Sequence, residues 1–192
     1  MRDAIRPGRR GHAHDEVALF VSEERCSLGL DLIQHRHQVV HHDLGEILPP
    51  SRAIICIDLD QLGSAFIPRA PDDRILRLRT DNLAAIWPNL RSAGIRHVVI
   101  SGAISTREEL RLIREAVDPS DLSVVRLVTP PALLEARLRR RDHGRRLEDH
   151  LAIVPRIDRS LDESALEDIR VMNDARSPRE VAMAILRAIG WD

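Results

Sequence analysis

With 192 residues the chain has the length of one ordinary domain with room for a true hydrophobic core. A net charge of −1 and a pI near 6.8 exclude a general nucleic-acid or polyanion binder, and no apolar run is long enough to cross a bilayer as a helix. Two cysteines, Cys26 and Cys56, make neither a disulfide framework nor a zinc site, and no apolar segment follows the basic N-terminus closely enough for a signal peptide, so a cytoplasmic protein is expected.

The first expected strand is 17–21. The stretch 22–42 has weak periodicity, and six of the nine histidines fall within the first 42 residues. Residues 43–48 read as the end of a helix, and Pro49-Pro50 as a break. The second strand, 53–57, runs into the carboxylates Asp58 and Asp60. An amphipathic helix is expected over 81–93, with Leu83, Ile86, Trp87 and Leu90 at helical spacing and Pro88 a kink. Strand 96–100 follows. Thr106-Arg-Glu-Glu109 then has the spacing of a capping box, with Leu110, Ile113 and Val117 on one face. Strand 123–128 precedes a helix that opens at Pro130-Pro131 and runs through Arg141. After strand 168–172, Ser177-Pro178-Arg179-Glu180 starts a last helix that stops at Gly190. Short apolar runs alternating with longer amphipathic ones predict an α/β fold with a parallel sheet covered by helices.

In such a sheet the carboxyl ends of the strands carry ligands. A carboxylate pair there, Asp58 and Asp60, can hold Mg²⁺ through water or take a proton from a substrate hydroxyl; as residues alone they equally fit a solvated strand end. Arg69, Arg74, Arg77 and Arg79 follow the pair and hint at an anionic small-molecule substrate, although exposed arginines also serve solvation. The run Arg137–Arg141 fits a solvated helix face as well as a binding one. Ser101 reads as structural, Asn173-Asp174 as a turn before a capped helix, and His143 and His150 as surface residues. His35, His37, His41 and His42 have ligand-like spacings, but no cysteine or carboxylate completes a metal set.

Five segments together resemble a family. They are Ile57-Asp-Leu-Asp-Gln-Leu-Gly63, Asn82-Leu-Ala-Ala-Ile-Trp-Pro-Asn89, Val98-Val-Ile-Ser-Gly102, Leu133-Leu-Glu-Ala-Arg-Leu-Arg-Arg-Arg141 and Asn173-Asp-Ala-Arg-Ser-Pro-Arg-Glu-Val181. In this order and spacing, residues 53–192 look like the later three-quarters of a small P-loop kinase. The group meant is that of the shikimate, gluconate, adenylyl-sulfate and nucleoside-monophosphate kinases, and more narrowly the small P-loop kinase-like proteins of actinobacteria. The resemblance implies a three-layer fold: a mostly parallel five-stranded sheet, helices on both faces and a short Arg-rich lid at about 137–150. It implies ATP and Mg²⁺ as cofactors, with Asp58 and Asp60 beside the metal and the acceptor hydroxyl. Ser101 and Gly102, with Arg74 and Arg77, would line the acceptor pocket. Arg137, Arg140, Arg141 and Arg145 would be the lid's phosphate-binding cations, and Asn173, Asp174 and Arg176 would contact the nucleotide base.

The departure lies in the atypical segment 1–52. A P-loop is Gly-x-x-x-x-Gly-Lys-Ser/Thr directly after the first strand. Here the chain reads Ser22-Glu-Glu-Arg-Cys-Ser-Leu-Gly29, and all 29 of its basic residues are arginine. The interval to Asp58 is about that of a P-loop with its helix, but the clamp chemistry is missing. Either 22–42 is a degenerate loop or it is a frameshifted one: in GC-rich codons read one base later, 35–42 yields Thr-Gly-Thr-Lys-Ser-Ser-Thr. As written, the chain is expected to turn over ATP weakly or not at all. Two alternatives stand beside this reading. One is a haloacid-dehalogenase-like phosphatase using Asp58 as nucleophile and Asp60 as acid/base. The other is a non-catalytic nucleotide-binding or interaction module. The kinase lineage requires the acids to face a hollow; a strand at the sheet's margin with both acids turned away would count against it.

Overall fold

The structure is a computed structural model and describes residues 16–22, 47, 53–63, 72–102, 104–119 and 121–191. Stretch 22–42 beyond Ser22, Cys26 and His35 to His42 therefore lie outside the described residues, as does Arg69.

Five strands form one sheet: β1 (Glu16–Ser22), β2 (Ile54–Asp58), β3 (His97–Gly102), β4 (Asp121–Val128) and β5 (Ile169–Met172), in the order β2-β3-β1-β4-β5. Every pairing is parallel. β1 lies at the centre, with Val21 opposite Gly102 on one side and Ser22 opposite Leu127 on the other. The strands are apolar on both faces because both faces are covered. Ile57, Val98, Ile100 and Val124 pack with Leu83, Trp87, Ile113, Val117 and Leu161. The alternate positions Val99, Val125, Leu127 and Val171 pack with Val181, Ala182, Ile185 and Leu186. Trp191 closes that second layer, its ring edge-on to His97 with centroids 5.2 Å apart.

The helices whose bounds are described are α1 (Leu59–Leu62), α2 (Asp72–Ser92), α3 (Arg107–Val117), α4 (Pro131–Arg141), α5 (Gly144–Ser164) and α6 (Pro178–Ile189). The expected caps are present. Thr106 and Ser177 each accept the amide of the glutamate three residues on, and Glu109 and Glu180 reach back to the cap amides. Gly190 ends α6 at φ 75°, in the left-handed region a glycine enters without strain.

Two expectations, the start of α2 and the surface position of His150, need correction, and the segment 137–150 takes a definite form. α2 begins at Asp72 rather than at 81, because Leu76, Thr80, Leu83 and Trp87 already share one face; buried Thr80 satisfies its hydroxyl on the carbonyls of Leu76 and Arg77 (3.1 and 3.0 Å). The segment 137–150 contains the end of one helix, a break at Asp142-His143 and the start of a second helix that continues to Ser164. His150 is fully buried while His143 is exposed, since His150 begins the inner stripe of α5 that continues through Ile157 and Leu161.

The topology places the ligand end. Right-handed crossovers that travel in opposite directions across a sheet lie on opposite faces. Ile47, in the connection from β1 to β2, packs on the α6 face; α2, α3 and α5, in the other connections, pack on the opposite face. The strand order reverses at β1, so its carboxyl end, beside those of β3 and β4, is the switch point.

Candidate active site at the carboxyl rim of the sheet

β2 is one of the two marginal strands of the sheet, and Asp58, its last residue, stands opposite Ser101 in register. Asp58 caps the single turn of α1: its Oδ1 accepts the amide of Asp60 at 2.9 Å. The turn directs Asp60 towards α2, where Oδ1 meets Arg79 Nη1 at 2.9 Å. Arg79 Nη2 lies 3.9 Å from Glu109, the residue that also caps α3. Asp60, Arg79 and Glu109 therefore form a charged line across α1, α2 and the start of α3. It is half-closed to solvent, with Arg79 at 14% and Asp60 at 29% exposure. Within it the buried Arg79 Nε has no hydrogen-bond partner.

Two glycines and an asparagine make this line possible. A Cβ on Gly63 would lie 2.2 Å from Arg79 Cγ, so only glycine lets the arginine cross over α1. A Cβ on Gly102 would lie 3.2 Å from Leu59 Cβ, so α1 rests directly on the end of β3. Asn82 Nδ2 donates to the carbonyl of Leu62 at 2.6 Å and holds the turn's far end. Ser101 is buried with its hydroxyl directed at the Ile57 carbonyl, 3.5 Å away, a tie between β2 and β3. Arg74 and Arg77 sit exposed on α2 near its start.

The arginines of 137–150 separate into distinct environments. Arg137 donates to the carbonyls of Asn173 (3.3 Å) and Asp174 (2.8 Å), joining α4 to the loop after β5. Arg140 is exposed, and Arg145, at 93% exposure, lies 3.9 Å from Asp149. Arg141 turns inward to Asp142, whose side chain is wholly buried. That carboxylate accepts from Arg141 Nε and Nη2 (3.1 and 2.8 Å) and from His150 Nδ1 (2.7 Å), and Arg146 Nε lies 3.4 Å from it. Burial works to raise the Asp142 pKa, but the hydrogen bonds and charges of Arg141 and His150 prevail and hold it below the ordinary aspartate value.

The loop after β5 is built from its own residues. Asn173 N donates to Val128 O at 2.7 Å. Asp174 Oδ1 accepts the amide and Nε of Arg176 (3.0 and 2.9 Å), and Arg176 also donates to the Met172 carbonyl. The Arg176 amide first, then its guanidinium, lowers the Asp174 pKa. Deeper in the sheet, Arg126 on β4 is 2% exposed and binds Asp158 (2.6 Å) and Asp162 (2.7 Å), fastening α5 to the strand.

The sequence reading named Arg79 only as one of four arginines after the acid pair. The structure singles it out by its contact with Asp60, a meeting of α1 and α2 that no spacing along the chain announces. The Asp142–His150 pair went unnoticed because an aspartate after an arginine run looks like an ordinary helix end. Among the described residues no group of three or more His, Cys, Asp or Glu could hold a metal by itself.

No family model and no curated protein matches the chain. Solved structures do. A sugar kinase from a Janibacter species superposes with a TM-score of 0.56 at 17% identity, over 93% of this chain and 95% of that one. A gluconokinase from Sinorhizobium meliloti gives 0.54 at 18% identity over 94% of both chains. A shikimate kinase from Bacteroides thetaiotaomicron gives 0.55 at 13% identity, over 91% of this chain and 98% of that one. The chain has the fold of the small P-loop kinases. At these identities the likeness is one of fold alone.

Proposed function

We propose that the chain is a P-loop kinase-like protein of the ATP-dependent small-molecule phosphotransferase lineage, with weak or absent turnover as written. The observation that carries the reading is the rim geometry: Asp58 at the mouth of β2 and Asp60 paired with Arg79, on the same carboxyl rim as the switch point at β1 and one strand away from it, in a sheet ordered as β2-β3-β1-β4-β5. That β2 is marginal does not remove its acids from the rim, since Leu59 of α1 rests on Gly102 at the end of β3 and Asp60 reaches Arg79 on α2.

Asp58 fits Mg²⁺, a hard cation that takes one or two carboxylates together with water and phosphate oxygens and needs no all-protein cage. When bound, Mg²⁺ and ATP would supply charge neutralisation and the transferable phosphoryl group. Asp58 would hold the metal through water, and Asp60 would orient the acceptor hydroxyl and receive its proton. Arg79, with Arg74 and Arg77 at the mouth, suits an anionic acceptor, while Ser101 and Gly102 form the floor. Arg141 and Arg145, with Arg140, would face the phosphates. Arg137 would act through the loop Asn173, Asp174 and Arg176, whose backbone it fixes for contact with a nucleotide base. The triphosphate fits less well than the metal. The chain has no lysine to place a point charge on it, and Glu23 and Glu24 follow β1 where a P-loop carries glycine.

Calorimetry with Mg-ATP and Mg-ADP, followed by an ADP-release assay over a panel of hydroxy acids and sugars, tests the reading. Binding without steady turnover is expected. Steady acceptor-dependent ADP release would overturn the predicted inactivity, and no nucleotide binding at all would overturn the nucleotide-site reading. Hydrolysis of an aryl phosphate that is lost in Asp58→Asn would move the assignment to a phosphatase.

A further inference from the structure

The break between α4 and α5 holds the most deeply buried acid–base cluster described at this end of the molecule. Asp142 and His150 are both sealed from solvent, at 0% and 1% side-chain exposure, and are joined by a 2.7 Å contact. A carboxylate only accepts, so Nδ1 of His150 carries its proton towards Asp142. Three bases from two helices converge on this one acid: Arg141 from the last turn of α4, Arg146 from the first turn of α5 and His150 from the second. The Asp142 backbone is held as well, its amide donating to Leu138 O at 2.8 Å. The Arg141 and Arg146 side chains are partly exposed, at 22% and 31%, while the Arg146 Nε that faces Asp142 is itself buried.

A buried carboxylate with this many donors serves poorly as a source of stability, because desolvation offsets much of its attraction. It serves well as a device that fixes geometry. Without it, two long side chains around an exposed break would sample many rotamers, and each would lose about 1 kcal/mol or more of entropy on ordering. With it, the ordering is done before a ligand arrives. His150 carries the pin into the interior, since its ring stands on the same face of α5 as Ile157 and Leu161.

We propose that Asp142 and His150 are positioning residues that pre-set Arg141 and Arg146 towards the terminal phosphate of a nucleoside triphosphate. This rests on the nucleotide-binding reading above. It adds Arg146 to Arg141 at that phosphate, and makes recognition of the terminal phosphate depend on a buried pair that never touches it.

The test compares the full chain with His150→Leu, which removes the donor at nearly constant volume, and His150→Asn, whose amide can replace the Nδ1–H. Asp142→Asn is a third variant, and thermal melting checks that each is folded. Mg-ATP and Mg-ADP affinities are measured by calorimetry, and the mobility of the Arg141 and Arg146 Nε–H groups by nitrogen-15 relaxation. The parent chain is expected to prefer the triphosphate. His150→Leu should lower that preference about tenfold, the scale of one charge-assisted contact, with the diphosphate affinity within about twofold. Both guanidiniums should become mobile in this variant, and His150→Asn should restore preference and order together. A preference unchanged in His150→Leu overturns the proposal while leaving the nucleotide reading intact, and so does its loss with both guanidiniums still ordered. A parent chain that binds neither nucleotide overturns both.

Discussion

Two of the described aspartate centres are built in opposite ways. At the end of β2, Asp58 and Asp60 are partly open, bind a nearby amide and one arginine, and are separated by a single residue. At the α4–α5 break, Asp142 is closed off and collects Arg141, Arg146 and His150 from two helices. The first is a local construction, in which a strand end, an N-cap and one helical turn place both acids whatever surrounds them. The second exists only when α4 and α5 are packed. An acid that must meet a ligand stays at a rim, whereas an acid that must hold other side chains still can be sealed.

The contrast predicts unequal costs. Asp142→Ala should be the most damaging change, leaving three bases facing one another around a cavity; a loss of about 3 kcal/mol in a urea titration is expected. A loss under about 1 kcal/mol would show that the centre is open to water. Next comes acid sensitivity. Because the folded pKa of Asp142 is depressed, its contribution is complete above the unfolded value of 3.8 and disappears as the pH falls through the lower folded value. Asp142→Asn should therefore flatten the acid limb of the stability profile, measured from pH 6 down to about pH 2, and an unchanged limb would contradict the assignment.

At the rim the effects should shrink. Gly63→Ala drives a methyl into Arg79 Cγ, and moving that flexible side chain should cost about 1–2 kcal/mol together with the Asp60 contact. Asp60→Asn breaks a partly exposed ion pair and should cost about 1 kcal/mol or less. Asp58→Asn should change stability least, within about 0.5 kcal/mol, because asparagine caps a helix as well as aspartate does. The same substitution should weaken Mg²⁺-dependent nucleotide binding more than any of the stability variants. A large loss of stability there would turn Asp58 from a ligand-facing acid into a structural one.

Much of the frame was legible before any coordinates. The capping boxes at Thr106 and Ser177, the proline start of α4 and the stop at Gly190 each depend on residues within one helical turn, and each is present. Asp58 and Asp60 were legible as a pair for the same reason. The early start of α2 was not, since Arg74, Arg77 and Arg79 make its first turns look like a polar loop until Thr80 is seen to be buried. The arginine run was legible only as charge. Nothing in its order separates Arg137, which holds a loop, from Arg141, which turns into a buried acid, or from Arg140, which faces water.

By itself the amino-acid order determined the alternation of strand and helix, the helix ends and the adjacency of two carboxylates at a strand mouth, because hydrophobic period and capping act over a few residues. Tertiary packing alone decided which arginine meets Asp60, that His150 is interior, and that Asp142 gathers bases from two helices. Those outcomes depend on distances between elements, and a one-dimensional pattern holds no distance longer than its own period.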